Sequence, residues 1–251
     1  MYQARVIPCL LLRGYGLVKT RKFKDPVYIG DPVNAVRIFS EKEVDELVIL
    51  DIDASREGRE PNFDLINEIA GECFMPVAYG GGIRTLDQVR RLIRCGVEKV
   101  VINSAAVEST QIITEAAEVF GSQAVVAAVD VRRTLLGSYK VVAKSGTVES
   151  RFKLDEYLQR LQTAGAGEIF INSVDRDGGM AGYDLELLRL VTKNVTVPVV
   201  ACGGAGTVEH LSQAIKEGGA SAVAAGSMFV FHGRHRAVLI NYPDENIRNF
   251  I

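Results

Sequence analysis

Two glycine-rich segments of this 251-residue chain could each hold a phosphate group. Gly80-Gly81-Gly82 is followed further along the chain by Asn103-Ser104, and Gly203-Gly204 by Gly226-Ser227. Glycine lets the backbone approach a ligand closely, and the free N–H groups at the start of a helix favour an anion. Turn glycines that bind nothing are the alternative for each cluster. Two such clusters together predict a ligand with a phosphate at each end.

Carboxylates follow several apolar runs and could act as general acids or bases. Asp130 directly follows the run 124–129, and Asp51 and Asp175 also follow apolar runs. In α/β barrels the side chains at the carboxyl ends of the strands form the active site, so Asp130 is a candidate base. For Asp51 and Asp175, capping of a helix or pairing with a loop arginine is the favoured alternative.

The chain repeats itself at one separation. Glu46 and Glu168 each open an apolar run and lie 122 residues apart, as do Gly81 and Gly203. The repeat predicts a single domain, residues 1–251, made of two similar halves at about 1–120 and 121–251.

The opening runs of the two halves align at a separation of 119 residues, which places Leu11 opposite Asp130. A mechanism with paired carboxylates uses one group as acid and the other as base. Leucine has no proton to donate and carries no charge. The alignment therefore predicts that a catalytic pair has lost one member.

Four charged residues lie near the starts of apolar runs, at the opposite end from these carboxylates. They are Arg5, Glu46, Lys99 and Glu168. Barrel interiors are normally filled by branched apolar side chains, so charges that point inward must pair. The set predicts a neutral ring of charges at the amino-terminal mouth, with ordinary surface charges as the alternative.

Eight short apolar runs alternate with amphipathic segments. The predicted strands are residues 4–11, 46–51, 76–79, 99–102, 124–130, 168–172, 198–201 and 222–225. The predicted helices are residues 31–43, 63–71, 85–94, 109–119, 154–164, 184–191 and 207–217. Strict alternation predicts an α/β fold, a single (β/α)8 TIM barrel of two half-barrels, with an open doubly wound sheet as the alternative. We expect the irregular stretches 13–28 and 134–152 to be functional loops.

Composition narrows the classes of function. The chain has 29 basic and 31 acidic residues and a net charge of −2, which gives no electrostatic reason to bind nucleic acid or a membrane surface. Its four cysteines occur singly, as small buried residues in a reducing compartment do, and its three histidines show no metal-ligand spacing. We expect a cytoplasmic protein that uses no metal and no cofactor.

Along essentially its whole length the chain resembles the cyclase subunit of imidazole glycerol phosphate synthase. The matching segments are residues 80–83, 103–107, 120–126, 175–178, 182–184 and 203–206. The related single-chain isomerase of histidine synthesis shares single segments. Residues 121–126 and the four charged residues favour the cyclase.

This resemblance implies a partner and a reaction. In that family a glutaminase docks on the amino-terminal face of the barrel, and ammonia crosses the barrel. At the carboxyl-terminal face the ammonia meets a bis-phosphorylated aminoimidazole ribonucleotide, and the products are imidazole glycerol phosphate and an aminoimidazole carboxamide ribotide. By position, Arg5, Glu46, Lys99 and Glu168 would form the ammonia gate, and Asp130 would be the general base. The implied phosphate-binding residues are Lys19, Gly82, Asn103, Ser104, Asp177, Gly178, Gly203, Gly204, Gly226 and Ser227.

The chain departs from the cyclase pattern at Leu11, where the family has its other catalytic aspartate. Segments 8–12 and 229–233 resemble instead a paralogous group associated with amidation of nucleotide-linked sugars for bacterial surface polysaccharide. There the barrel and its glutaminase supply ammonia to a separate sugar amidotransferase.

Three functions therefore stay open. The first is ammonia supply for sugar amidation. The second is a genuine cyclase of histidine biosynthesis, in which Asp53 or a water replaces the lost acid. The third is a catalytically silent scaffold that activates a glutaminase.

Overall fold

A computed structural model describes residues 4–243. The ends of the predicted domain, residues 1–3 and 244–251, lie outside the described part. The strands are β1 Arg5–Arg13, β2 Gly16–Arg21, β3 Lys24–Gly30, β4 Leu47–Asp51, β5 Val77–Gly80, β6 Lys99–Ile102, β7 Val125–Arg133, β8 Tyr139–Ala143, β9 Val148–Glu149, β10 Glu168–Ser173, β11 Val199–Cys202, β12 Ala222–Ala225, β13 Phe231–His232 and β14 Ala237–Val238. The α-helices are α1 Pro32–Glu41, α2 Ala54–Glu57, α3 Phe63–Gly71, α4 Leu86–Arg94, α5 Ser104–Glu108, α6 Gln111–Phe120, α7 Leu154–Thr163, α8 Leu185–Asn194, α9 Val208–Lys216 and α10 Ser227–Val230.

Eight parallel strands close into a barrel. Their order is β10, β11, β12, β1, β4, β5, β6, β7, and β7 also pairs with β10, which completes the ring. The predicted TIM barrel is confirmed, and the open-sheet alternative is wrong. Short, almost fully apolar strands suit this arrangement because each is covered on one side by helices and on the other by the barrel interior.

The apolar side chains form two cores. The larger lies between the strands and the helices and includes Phe39, Leu92 and Leu161. The smaller fills the barrel interior. Alternate residues of each strand point to opposite faces, so one apolar run supplies both cores.

Helix starts follow the side-chain signals in the sequence. The Thr85 side chain accepts from the backbone N–H of Gln88, and the Gln88 side chain accepts from the backbone N–H of Thr85. Together the two bonds form a complete capping box. Asp31 and Asp184 cap α1 and α8 by accepting N–H bonds from Asn34 and Leu187. None of the helices within residues 4–243 is both long and apolar enough to cross a bilayer.

The stretches predicted as irregular loops form antiparallel hairpins instead. β2 pairs with the end of β1 and with β3, and β8 pairs with the end of β7 and with β9. Lys22 and Phe23, which join β2 to β3, have φ of 54° and 62°, as a two-residue hairpin turn requires. Because no glycine marks this turn, its residues gave no hairpin signal. In each half-barrel, an antiparallel hairpin of this kind follows the first strand.

Candidate active site and charged ring

One pocket opens at the carboxyl ends of the barrel strands. It is lined by every residue predicted to bind phosphate, and by Leu11 and Asp130. The fold therefore brings two glycine clusters, far apart in sequence, to opposite sides of the same mouth. Their binding roles stay predictions.

Asp130 is held by two amide side chains. Asn103 Nδ2 donates to one carboxylate oxygen at 3.0 Å, and Asn172 Nδ2 donates to the other at 3.2 Å. Burial raises the pKa of Asp130 to about 7, against the two amide bonds that lower it. A carboxyl group that titrates near neutrality can either accept or donate a proton in the pocket.

Sequence reasoning missed Asn172. It lies one residue before the end of β10 and is paired in register with Asp130, as Leu50 is paired with Leu11 in the first half. Leu50 and Asn172 lie 122 residues apart, so the repeat contained the signal. An acid–amide pair in the second half is matched by two leucines in the first.

The glycines of the second cluster are required by close contacts. At Gly204, with φ of 113°, an added Cβ would lie 2.2 Å from the carbonyl oxygen of Gly182. At Gly226 it would lie 2.1 Å from Lys19 Nζ. Gly226 therefore makes room for the lysine ammonium group at the pocket.

Lys19 reaches the pocket because Asp177 anchors its hairpin. Asp177 accepts from Thr20 Oγ1 at 2.9 Å and from Phe23 N at 3.2 Å. Lys19 donates to the Cys9 carbonyl oxygen, and burial lowers the pKa of its ammonium group. Asp177 thus positions a cation beside the glycine cluster, in addition to lining the pocket itself.

Two polar groups of the first cluster already have partners within the chain. Gly82 N donates to Ser55 Oγ at 3.2 Å, and Ser104 Oγ accepts from Lys144 N at 3.1 Å. A phosphate bound here would compete with these bonds or add to them.

The remaining strand-end carboxylates bond to groups within the chain, and the alternative interpretation of capping or pairing is confirmed for Asp51. Asp51 accepts from the N–H groups of Asp53 and Ala54 at 3.1 and 3.0 Å. Asp175 accepts from Arg133 N at 2.6 Å. Asp53 is bound by Arg13 at 2.9 Å and by Arg56 at 2.7 Å. Within residues 4–243, no three His, Cys, Asp or Glu side chains cluster in a way that could hold a metal ion.

The four predicted gate residues form one ionic ring at the amino-terminal end. Arg5 pairs with both Glu46 and Glu168. Lys99 Nζ lies 2.8 Å from Glu46 and 3.4 Å from Glu168. Burial alone would lower the pKa of Arg5, but the two glutamates raise it. The pairing allows both carboxylates to be buried.

Between the ring and the pocket, the barrel interior is an apolar column. Its buried side chains are Ile7, Cys9, Val48, Ala78, Val101, Val126, Ala128, Phe170, Val200, Ala222 and Ala224. Desolvation of an unpaired ion in such surroundings is costly, whereas a small neutral molecule pays far less.

The sequence matches the family described as histidine biosynthesis protein over residues 5–236. The chain belongs to this family. A Pseudomonas aeruginosa protein is 55% identical over 246 residues, covering 98% of each chain; its name, still provisional, is imidazole glycerol phosphate synthase subunit hisF2. Two further relatives have equally provisional names. Imidazole glycerol phosphate synthase subunit HisF of Leptospira interrogans is 49% identical and the match covers 97% of this chain and 96% of the relative. Subunit hisF3 of Vibrio vulnificus is also 49% identical, and the match covers 97% of this chain and 94% of the relative. The predicted relationship to the cyclase subunit is confirmed.

Replacing Glu46 with alanine should destabilise the barrel strongly, because Arg5 and Lys99 would share Glu168 alone. Loss of one partner of a buried ion pair costs about 3–5 kcal/mol, and we expect the lower end because the Arg5 and Lys99 side chains are 30% and 21% exposed. Urea unfolding measures the change. Glu72→Ala, which breaks an exposed pair with Arg37, is the control and should have little effect. Equal losses in the two variants would contradict a buried ring.

The raised pKa of Asp130 should make stability depend on pH. Between about pH 3.8 and about pH 7 the folded protein keeps a proton on Asp130 that the unfolded chain has released. The free energy of unfolding therefore falls as pH rises through this window. In Asp130→Asn this contribution disappears, so the variant should gain stability relative to the native protein between pH 4 and 7, measured by urea unfolding. A difference that does not change with pH would refute the raised pKa.

Proposed function

We propose that this protein is a barrel subunit that receives ammonia from a glutaminase and releases it at the carboxyl-end pocket, for amidation of a nucleotide-linked sugar. The observation that carries the proposal is Leu11. It stands in the register position equivalent to Asp130, while the charged ring and the apolar column are both complete.

The amino-terminal end supports the receiving part of the proposal. Neutral ammonia can cross an apolar column, whereas ammonium would have to shed its proton or its water first. The polar entrance at which ammonium sheds its proton or its water is the ring of Arg5, Glu46, Lys99 and Glu168. Phe74, in the loop that leads into β5 at this same end, is 91% exposed. An exposed aromatic side chain beside the entrance suits a docked glutaminase.

The pocket supports delivery without efficient cyclisation. Closing an imidazole ring needs proton transfers at two places, and the first half-barrel offers Leu11 and Leu50 where the second offers Asp130 and Asn172. Asp53 is a poor replacement for the lost acid, because Arg13 and Arg56 already hold both of its oxygens. Asp53 is also not among the residues that line the pocket.

A genuine histidine-pathway cyclase is the second candidate. It is favoured by Asp130 with its amide partners, by both glycine clusters, and by the names of the relatives. The scaffold hypothesis has less support, because a protein that only activated a glutaminase would need neither the apolar column nor the polar pocket.

Restoring the carboxylate tests the proposal. With ammonium salt and the bis-phosphorylated aminoimidazole ribonucleotide, Leu11→Asp should raise the cyclisation rate toward the ~10²–10⁴-fold that one acid or base contributes. Leu11→Asn is the matched control, since it has the same shape as aspartate but no carboxyl group to supply a proton. Formation of imidazole glycerol phosphate is measured by chromatography. Equally fast turnover by the native protein and both variants would support the cyclase instead.

A further inference from the structure

Each half-barrel extends its first strand into a hairpin, and the strand register aligns the two hairpins residue by residue. Val18 of β2 pairs with Leu11, and Val142 of β8 pairs with Asp130. Leu11 and Asp130 hold equivalent positions in the two halves. A difference between the residues that follow Val18 and Val142 is therefore a difference between the two sides of the pocket.

One hairpin brings a cation to the pocket and the other does not. In β2 the next residue is Lys19, and in β8 it is Ala143. Lys19 reaches the second glycine cluster, where Gly226 leaves room for its ammonium group. Ala143 is buried next to Lys144, whose backbone N–H donates to Ser104 of the first cluster. Among the described residues that line the pocket, Lys19 is the only basic one.

The first cluster has a carboxyl group and an unpartnered acceptor beside it instead. Asn103 of this cluster donates its Nδ2 to Asp130 at 3.0 Å, and Asn172 donates its own at 3.2 Å. The Oδ1 atoms of both amides are buried and have no hydrogen-bond partner within residues 4–243. Buried acceptors of this kind favour a ligand that brings N–H or O–H groups. A phosphate brings further acceptors and negative charge, which Asp130 would repel whenever it is ionised.

The second cluster lacks this repulsion because the first-half carboxylate is absent. Gly226 follows β12 beside β1, as Asn103 follows β6 beside β7. Leu11 therefore takes the place beside Gly226 that Asp130 takes beside the first cluster. Asp177 is the acid on this side, and its carboxylate is already bonded to groups of the β2–β3 hairpin. The change to leucine thus makes this side of the pocket more favourable for an anion.

We propose that the pocket selects a ligand with one phosphate group, and not the two phosphates that the paired glycine clusters predict on their own. The phosphate lies at the second cluster, against the Lys19 ammonium group and Gly226. The rest of the ligand is uncharged and presents hydroxyl or amide N–H groups to the Oδ1 atoms of Asn103 and Asn172. A sugar monophosphate has this pattern. The inference goes beyond the proposed function, because it concerns what fills the pocket and holds whether or not ammonia arrives there.

The native protein gives the first test, which needs no variant to fold. Equilibrium dialysis with radiolabelled inorganic phosphate counts the phosphate sites, and we expect one per chain. Isothermal titration calorimetry then compares D-ribulose 5-phosphate with D-ribulose 1,5-bisphosphate, which differ by a single phosphate group. We expect the bisphosphate to bind no more tightly than the monophosphate, because its second phosphate finds no cation at the first cluster.

Three variants assign the binding to the two sides of the pocket. Lys19→Met should weaken inorganic phosphate about 10- to 100-fold, as removal of a charged partner does. Lys144→Met is the matched control, because it removes a lysine near the first cluster whose side chain pairs with Glu108, and it should bind phosphate as the native protein does. Asn172→Leu should weaken D-ribulose 5-phosphate about 3- to 10-fold, since a donor of the sugar loses its acceptor, and this loss should exceed that for inorganic phosphate.

Four results would overturn the proposal. They are two phosphates per chain, a bisphosphate that binds at least about tenfold more tightly than the monophosphate, equal losses in Lys19→Met and Lys144→Met, and no binding of phosphate or D-ribulose 5-phosphate by the native protein. None of these measurements uses ammonia or a glutaminase, so a failure here is distinct from a failure of the proposed function.

Discussion

The interior of a closed parallel barrel is packed with side chains, so every inward-facing charge must find a partner within the ring of strands. That constraint orders this protein along its axis. At the amino-terminal end two acids and two bases satisfy one another, with Glu46 in contact with both Arg5 and Lys99. Above them lies an apolar column. At the carboxyl end Asp130 is bonded by two amides rather than by a cation, and burial raises its pKa.

The two half-barrels keep the same framework but differ in the chemistry they carry. Each opens with a long strand that continues into a hairpin, and each presents glycines to the mouth. They differ at the top of the interior, where Leu11 and Leu50 face Asp130 and Asn172 across the barrel. In the first half, both the position of the acid and the position beside it are apolar. Two neighbouring changes of this kind indicate a change of function rather than damage at a single position. This combination supports a subunit that conducts ammonia and leaves the acceptor chemistry to another enzyme.

Much of this arrangement could be predicted from the sequence, because apolar runs and a fixed repeat are local signals. Eight runs predicted the barrel, and the alignment of Leu11 with Asp130 predicted the missing acid. Other features depend on register and side-chain direction, which a linear sequence does not contain. Asn172 beside Asp130 and the pairing of Asp53 with Arg13 and Arg56 are of this kind. The hairpin strands β2 and β8 escaped prediction because their residues lack one continuous apolar run.

We infer that ammonia reaches the pocket and is not used there to close an imidazole ring. The most direct measurement supplies the complex of this protein and its glutaminase with glutamine and the bis-phosphorylated aminoimidazole ribonucleotide, and follows glutamate and imidazole glycerol phosphate together. We expect glutamate to accumulate, free ammonia to match it in amount, and imidazole glycerol phosphate to stay at the level of a protein-free control. Imidazole glycerol phosphate formed in step with glutamate would contradict it.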